Sequence, residues 1–584
     1  MQRLVSSNQA MRWLFLSVLV LAPMISTVHA APDTSCSSVE TEYTHAQKMR
    51  SEARELAGDG SDKTKLHQAA DKLESALAYL AQPDVYAKST GNISLYSRGH
   101  DVRFDLASIY MQLGMKDKAM TELEAMQKFV WVPPLGELIL KDPILAQLKD
   151  EPRFQAVIAN ARLPDHLWNV PSIATPFKPT LSIEERVAGL SLFWAEARQN
   201  FVYFDHVPTL EWDKLYMEYL TKVMATEKTS DYYNVMIQIA AQLHDGHTNI
   251  YPPQELIDSF YSKPPMTTAM IEDKVLVLSV ESDSLAKLVK TGDEIISIDG
   301  IDVQRYAEEK IAPYVSSSTS QDRRLRMFGY QLLDGDANQP LTLRMRDSMG
   351  KEYSATVKRS GYTDIQTPEV FTFKMLPNDV AYFALDHFES DESVKAFERA
   401  LPQIMKAKSL IIDMRQNGGG SSNYGYDILS YLSDKPIYTE TSYQRSEDAV
   451  MRARLGAFVK WAPLTGNSQP FQSPKHEHIF TGKVEVLTSA QTYSAGEDFV
   501  VAFQTMKRGK TIGEPTGGST GQPLLFALPG GGKARICVKR DLFPDGREFV
   551  GKGIQPDISV APTVSGIRSA RDTVLEHALE LLRD

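Results

Sequence analysis

The sequence predicts a multidomain α+β protein, and three observations carry that prediction. The chain is 584 residues long, enough for about three to five domains rather than one core. Its texture changes along its length, from helical periodicity before residue 165 to β-rich sequence over 262–362. From 366 onward strand-like and helix-like segments alternate, which is the pattern of an α/β core.

The N-terminus comes first. Arg3 and Arg12 precede the short apolar run "WLFLSVLVLAPMI", and Val28 and Ala30 supply small residues after it. This is the order of a secretory signal, here 1–30 with cleavage after Ala30. A membrane anchor needs about 20 apolar residues, more than this run offers. The mature chain is therefore expected to be exported, to the periplasm or the medium. The composition, 42% hydrophobic and 23% charged with a formal charge of −11, is that of a globular protein. It excludes nucleic acid as a partner, because phosphate binding needs clustered Lys and Arg. Cys36 and Cys537 are the two cysteines. Export permits them to pair, but two cysteines do not establish a bridge.

Residues 31–165 read as a helical domain. In "FDLASIYMQLGMKDKAMTELEAMQ", Ala107, Tyr110, Gly114 and Ala119 resemble the helix–turn–helix signature of tetratricopeptide repeats, in which small residues let two helices approach closely. Such a domain would bind a protein partner or steer assembly. A Pro-rich linker closes the region (166–180). The following segment, 181–258, is helical. Ser182 and Glu185 form a capping box, and Ile183, Val187, Leu190, Trp194, Ala197 and Phe201 recur on one helical face. A second helix over 231–244 runs into "LHDGHT", with Gly246 as its C′ residue.

Over 262–362, "LVKTGDEIISIDGIDV" places a strand between a Gly292-Asp293 turn and an Asp299-Gly300 turn. This strip resembles PDZ domains, which add a peptide strand to a sheet edge and capture C-termini. The groove is expected beside the strand near Ile295. Beyond 366, strands are predicted in "VAYFALDHF", "SLIIDMR" and "KVEVLT", and helices over 391–406, 423–433, 495–506 and 569–582. The aromatic-rich stretch 438–480 reads as an insertion able to cover a site. Residues 366–565 form the predicted catalytic domain and 566–584 a closing helix.

The chemistry centres on "LTSAQTYSAGEDFVVAF" (487–503). Ser494 stands where a helix begins, which suits either an N-cap or a nucleophile. The helix start turns peptide N–H groups and the positive dipole end outward, where an oxyanion is stabilised, and Ala495 is the first donor. "LIIDMRQNGGGSS" ends a strand in Gly418-Gly419-Gly420, a loop whose free N–H groups are able to supply a second donor. It lacks the Lys of a phosphate-binding loop. Asp413 and Arg415 read as structural charges at the strand end.

Taken in order, "DMRQNGGG", "SAGE", "GEPTGG" and "GKGIQPDI" resemble family S41 serine peptidases, the tail-specific or C-terminal-processing proteases and the tricorn core protease. "LHDGHT" resembles the tricorn-type N-terminal segment, and a PDZ module before the catalytic domain is also the family's arrangement. The resemblance covers roughly residues 180 to 565 and implies a ClpP/crotonase-type catalytic core.

One branch of that family uses a Lys base in "TxGKG". Here Ser519 stands at the position of that Lys, and Lys507, Lys510 and Lys533 lie off the pattern. The other branch takes a His from the N-terminal segment and a Glu near "G-I-x-P-D". His247 matches the first, with His244 as its competitor, and Glu548 in "GREFVG" is the candidate for the second. Gly246 departs from the tricorn pattern, which has Ser immediately before the His. A metal pair of His244 and His247 lacks a third ligand at a known spacing, so neither metal nor cofactor is expected. The resulting expectation is an exported serine endopeptidase that acts on unstructured or C-terminal segments of proteins and peptides. In it Ser494 is nucleophile, His247 base and Glu548 orienting acid. Gly419 and Ala495 form the oxyanion hole, supported by Gly418 and Ser519. The alternative is a non-proteolytic peptide- or ligand-binding scaffold with the same fold. An acyl-CoA enzyme of crotonase type fits export and a PDZ module poorly.

Overall fold

The computed structural model describes residues 42–89, 93–126, 138–161, 170–360, 370–456, 459–464, 470–471 and 476–583. The signal segment, Cys36 and most of the 166–180 linker's first half lie outside the described residues. The chain divides into two compact units, one within 22–172 and one from 173 onward, residues 462–465 excepted. Among the described residues no helix is long and apolar enough to cross a membrane.

The first unit is helical, built on Glu42–Ala57, Lys63–Leu80, Ile93–Gln112, Lys116–Met126 and Pro152–Ala161. Gly114 turns the chain with φ 76°. Ala107 and Ala119, on the two helices it joins, are wholly buried, so small side chains do permit a close approach there. Asp105 accepts paired hydrogen bonds from Arg50 and Arg54, which gives this buried carboxylate its counter-charges.

In the second unit a six-stranded sheet runs in the order Ile558–Ser559, Lys510–Gly513, Lys483–Thr488, Ser409–Asp413, Val380–Ala384, Phe373–Leu376. Its pairings are parallel except at Phe373–Leu376, which is antiparallel. The strand Ser409–Asp413 is buried throughout. Leu410 and Ile412 face the main core, and Ile411 faces a second cluster with Leu487, Ile512, Val574 and Ala578 under the helix Thr573–Leu581. This period-two division between two covered faces is what the apolar run "LIID" encodes. Arg415 bridges Asp413 and Asp572, tying that last helix to the sheet, as its reading as a structural charge implied.

The helical segment after the linker is not a separate body. Leu190, Phe193, Ala197 and Phe201 share one core with Phe499, Val500 and Phe503 of the helix Ala495–Met506. The capping box at Ser182 and Glu185 is formed. Ile183, expected on the buried face, is 47% exposed, because it is the first residue of its helix and lies beyond the core's edge. The strand Asn249–Tyr251 then pairs antiparallel with Lys533–Cys537, with Asn249 opposite Arg535. That short ladder fastens the segment carrying His247 to the far end of the chain.

The β-domain is a sheet in the order Met266–Ile271, Lys274–Val280, Glu294–Ile298, Leu341–Arg346, Glu352–Val357. Asp299 and Gly300, at φ 48° and 80°, make the two-residue turn the sequence announced. Ile295 does not border a groove. Its strand is hydrogen-bonded on both sides. The edge strand Met266–Ile271 is covered by the turn Arg326–Tyr330, where the Thr268 hydroxyl donates to the Phe328 carbonyl. A Cβ on Gly329 would lie 3.4 Å from the Thr268 carbonyl oxygen. An added peptide strand needs about 4.8 Å of its own beside that edge, and the Arg326–Tyr330 turn fills that space at Thr268.

Candidate active site

Two adjacent parallel strands end at the site. Lys483–Thr488 leads to Ser494, and Ser409–Asp413 leads to the Gly418 loop. Open α/β sheets place their chemistry at these carboxyl ends. Ser494 stands at the N-cap position of the helix Ala495–Met506, and its carbonyl accepts the first helical N–H groups. Its side chain makes no capping bond, and its backbone lies at φ 56°, ψ −127°. A non-glycine residue in that region carries strain of about 1–3 kcal/mol, held by its surroundings. The Ser494 N–H donates to the Ser519 carbonyl (3.1 Å) and Tyr493 N–H to the Asn417 carbonyl (2.9 Å). The sharp turn presents Oγ away from the helix, as a nucleophile elbow does.

His247 meets it. Its Nε2 lies 3.1 Å from Ser494 Oγ and its Nδ1 2.8 Å from Ser519 Oγ. The "DGHT" turn explains why it can. Thr248 Oγ1 donates to Asp245 (2.7 Å) and accepts the Cys537 N–H (3.2 Å), while Arg535 donates to the Gly246 carbonyl (3.3 Å). His244, the competitor, is exposed and takes the left-handed turn at φ 48° that had been assigned to Gly246. Gly246 is required for another reason. A Cβ there would stand 1.9 Å from the Tyr493 hydroxyl, and the Tyr493 ring stacks on the imidazole at 5.0 Å and 11°.

Burial, with the cations of Arg535, Arg326 and Lys539 adding to it, holds the His247 pKa well below its ordinary value. The ring is therefore neutral at neutral pH. With Nε2 accepting from Ser494, Nδ1–H donates to Ser519. Ser519 is fixed from behind. Glu497, in the first turn of the nucleophile helix, accepts from Ser519 N–H (2.8 Å), Gly518 N–H (2.8 Å) and Thr516 Oγ1 (2.5 Å). Burial pushes the Glu497 carboxyl up to about 7 against those bonds.

Two expectations are corrected. Glu548 does not reach His247. It pairs with Arg540 and with Lys552 (3.2 Å), and the Arg540 bond, with smaller help from Lys552, draws its pKa down. Its strand end lies beside Asp205 and His206, where the three donors stand within 4.8 Å of one another. Arg540 already supplies the cation between the two carboxylates. Gly419 does approach Ser494, so closely that a Cβ on it would lie 2.7 Å from the Ser494 Cβ, but its N–H donates to Asn417 Oδ1 (3.0 Å). Ala495 N–H has no acceptor among the described residues. Cys537 is buried, with its Sγ 3.5 Å from the Lys539 carbonyl. Tyr493, Glu497 and the Asp322–Arg326 pair near Gly246 were not found from sequence. Glu497 lies inside the quoted "SAGE", whereas nothing local marks Asp322.

Residues 379–560 match the model of peptidase family S41. The match takes in Ser494, Glu497 and Ser519 and leaves His247 outside it. Among curated proteins, the chain is 22% identical over 352 residues to the chloroplastic carboxyl-terminal-processing peptidase 1 of Arabidopsis thaliana, a match covering 56% of this chain and 63% of that protein. It is 23% identical over 186 residues to a probable CtpA-like serine protease of Staphylococcus haemolyticus, covering 32% of this chain and 34% of that one. The chain thus matches less than two thirds of the length of either relative. The solved structure of mature CPAF complexed with lactacystin superposes with a TM-score of 0.55 at 15% identity, over 68% of this chain and 98% of the other. That likeness shows a shared multidomain α+β fold.

Proposed function

We propose that this chain is an exported serine endopeptidase of the S41 type, acting on unstructured or C-terminal segments of proteins and peptides. The observation that carries the reading is Ser494 Oγ, presented from a strained turn 3.1 Å from a buried imidazole. His247 Nε2 takes the hydroxyl proton as Oγ attacks the scissile carbonyl. The imidazolium that forms keeps its Nδ1–H on Ser519, whose place is set by Glu497. Ala495 N–H donates to the developing oxyanion. His247 then returns the proton to the leaving amine, and a water deprotonated by the same nitrogen releases the acyl group. The signal-like 1–30 segment supports export. The helical first unit is read as a docking domain for a protein partner, and the β-domain as PDZ-like in strand order and turns.

The test is labelling with a fluorophosphonate probe beside fragment mapping on an unfolded protein substrate. Labelling at Ser494, with cleavage lost in Ser494→Ala, is the expected result. A folded chain that neither labels nor cleaves favours the non-proteolytic scaffold.

A further inference from the structure

The base of this site has no carboxylate on its Nδ1, so another arrangement holds the ring. The β-domain reaches it. Ser318 Oγ accepts the Gly246 N–H (2.9 Å) and donates to Asp245 Oδ1 (3.3 Å), gripping the turn one residue before His247. Thr319 Oγ1 donates to the Gly517 carbonyl (2.8 Å), and Gln321 Nε2 to the carbonyls of Thr516 (2.9 Å) and Lys552 (3.0 Å). The same short stretch therefore holds both the loop of His247 and the loop of Ser519. Asp322, whose side chain is 1% exposed, accepts from Ser318 N–H (3.2 Å) and from Arg326 Nε (2.6 Å). The Arg326 guanidinium lies 5.3 Å from the centre of the Tyr493 ring, which is the ring stacked on His247. A Cβ on Gly246 would stand 3.0 Å from Asp322 Oδ2 and 3.1 Å from Arg326 Nη2, so this ion pair backs directly onto the residue before the base.

We propose that Ser318, Asp322 and Arg326, presented by the β-domain, act with Tyr493 as the positioning residues of His247, in the role a triad carboxylate fills elsewhere. The inference rests on His247 being the base of the proposed peptidase. It gives the β-domain a different task from peptide capture. One side of its Arg326–Tyr330 turn covers the sheet edge, and the helix Ser320–Leu325 before it clamps the catalytic loops. A buried pair so placed is fixed in geometry by its bonds, and Arg326 adds a cation beside a ring that must be neutral to accept a proton. The groups that face His247 are Ser494, Ser519 with Glu497 behind it, Tyr493, Arg326 with Asp322, Asp245, Arg535 and Lys539.

The experiment uses the full chain and a quenched peptide, with kcat and KM measured from pH 4.5 to 9, fluorophosphonate labelling, and thermal melts on every variant. Ser318→Ala is expected to lower kcat by about tenfold or more, the scale of a small misplacement of a catalytic group, with KM within about twofold. Ser318→Thr, which keeps the oxygen, recovers most of that loss. Arg326→Gln is expected to move the acid limb of kcat/KM to higher pH, because a cation that opposed imidazolium formation is gone, and Arg326→Lys to return it. Glu497 is common to all these variants, so the difference between limbs reports on Arg326. Wild-type kcat in folded Ser318→Ala together with an unmoved limb in Arg326→Gln overturns the inference. If Arg326→Gln melts below the assay temperature, Ser318→Ala and Ser318→Thr decide alone. A wild type that labels at Ser494 while the variants match it overturns the positioning role only. A wild type that neither labels nor cleaves overturns the peptidase reading and this inference with it.

Discussion

Replacing Gly246 by Ala adds one methyl group and, by the geometry of the site, should nearly silence it. The new Cβ would lie 1.9 Å from the Tyr493 hydroxyl, 3.0 Å from Asp322 Oδ2 and 3.1 Å from Arg326 Nη2. Carbon and oxygen rest at about 3.5 Å, so methyl and hydroxyl must part by roughly 1.5 Å. Tyr493 has little room to give. Its N–H is bonded to the Asn417 carbonyl, its ring is stacked on His247, and the next residue is Ser494 itself. The displacement falls on the His247 loop, and a shift of about 1 Å in a catalytic group costs about a hundredfold in rate. The expected kcat loss for Gly246→Ala is therefore about a hundredfold, or about 2.7 kcal/mol of barrier. Tyr493→Phe removes the atom in conflict. That hydroxyl has no hydrogen-bond partner among the described residues by distance and angle, so the single variant should fold and cleave, and the double variant Gly246→Ala/Tyr493→Phe should recover at least about tenfold over Gly246→Ala. Quenched-peptide kinetics beside thermal melts measure both. Wild-type turnover in Gly246→Ala, or no recovery in a folded double variant, would refute the reasoning.

Further outcomes follow from the same geometry. Glu548→Gln should keep peptide hydrolysis within a few-fold of wild type, since its carboxylate serves Arg540 and Lys552; a dead, folded variant would reinstate it as the acid. His247→Ala should cost several orders of magnitude in kcat, while Lys510→Ala and Lys533→Ala stay active. Glu497→Gln sets an amide N–H against N–H donors and should destabilise by about 1–3 kcal/mol. The folded-state pKa of Glu497 is raised from 4.5 to about 7, so the stability it contributes is full below pH 4.5 and lost as pH rises through about 7. The wild-type advantage over Glu497→Gln in urea unfolding should accordingly shrink between pH 5 and pH 8. Deleting 262–360 should abolish cleavage of short peptides as fully as that of proteins, because Ser318, Thr319 and Gln321 leave with it; a deletion variant that still cleaves short peptides would show that the site closes without them.

Much of this was legible in the sequence because local rules govern it. The apolar runs ending at Asp413 and Thr488 are strands buried on two faces, and the capping box at Ser182 forms as written. Ser494 and His247 were found from short motifs, and the structure brings them together. Cap and nucleophile could not be separated by pattern, since both want a Ser at a helix start; the structure adds that the Ser494 side chain makes no capping bond and that its φ is positive. Glu548 failed because proximity to a motif along the chain says little about which way a carboxylate turns when Arg540 lies 8 residues away on the neighbouring strand. Asp322, Arg326 and Ser318 carry no local signal. Their role arises from tertiary contacts about 70 residues from His247 and about 200 from the Ser519 loop.

His247 and Ser494 are 247 residues apart in sequence, and the imidazole is held against the serine by a three-residue strand laid on Lys533–Cys537. Closing so long a loop is paid for only by contacts that form late, so the pair belongs to the slow, high-contact-order part of folding. A growing chain holds His247 long before Ser494 exists, and Ser494 before the strand that anchors His247 has been made. On the proposed peptidase reading, the unfinished molecule is chemically silent, and the order in which the chain is read keeps its exposed segments from being cut until the pair is assembled.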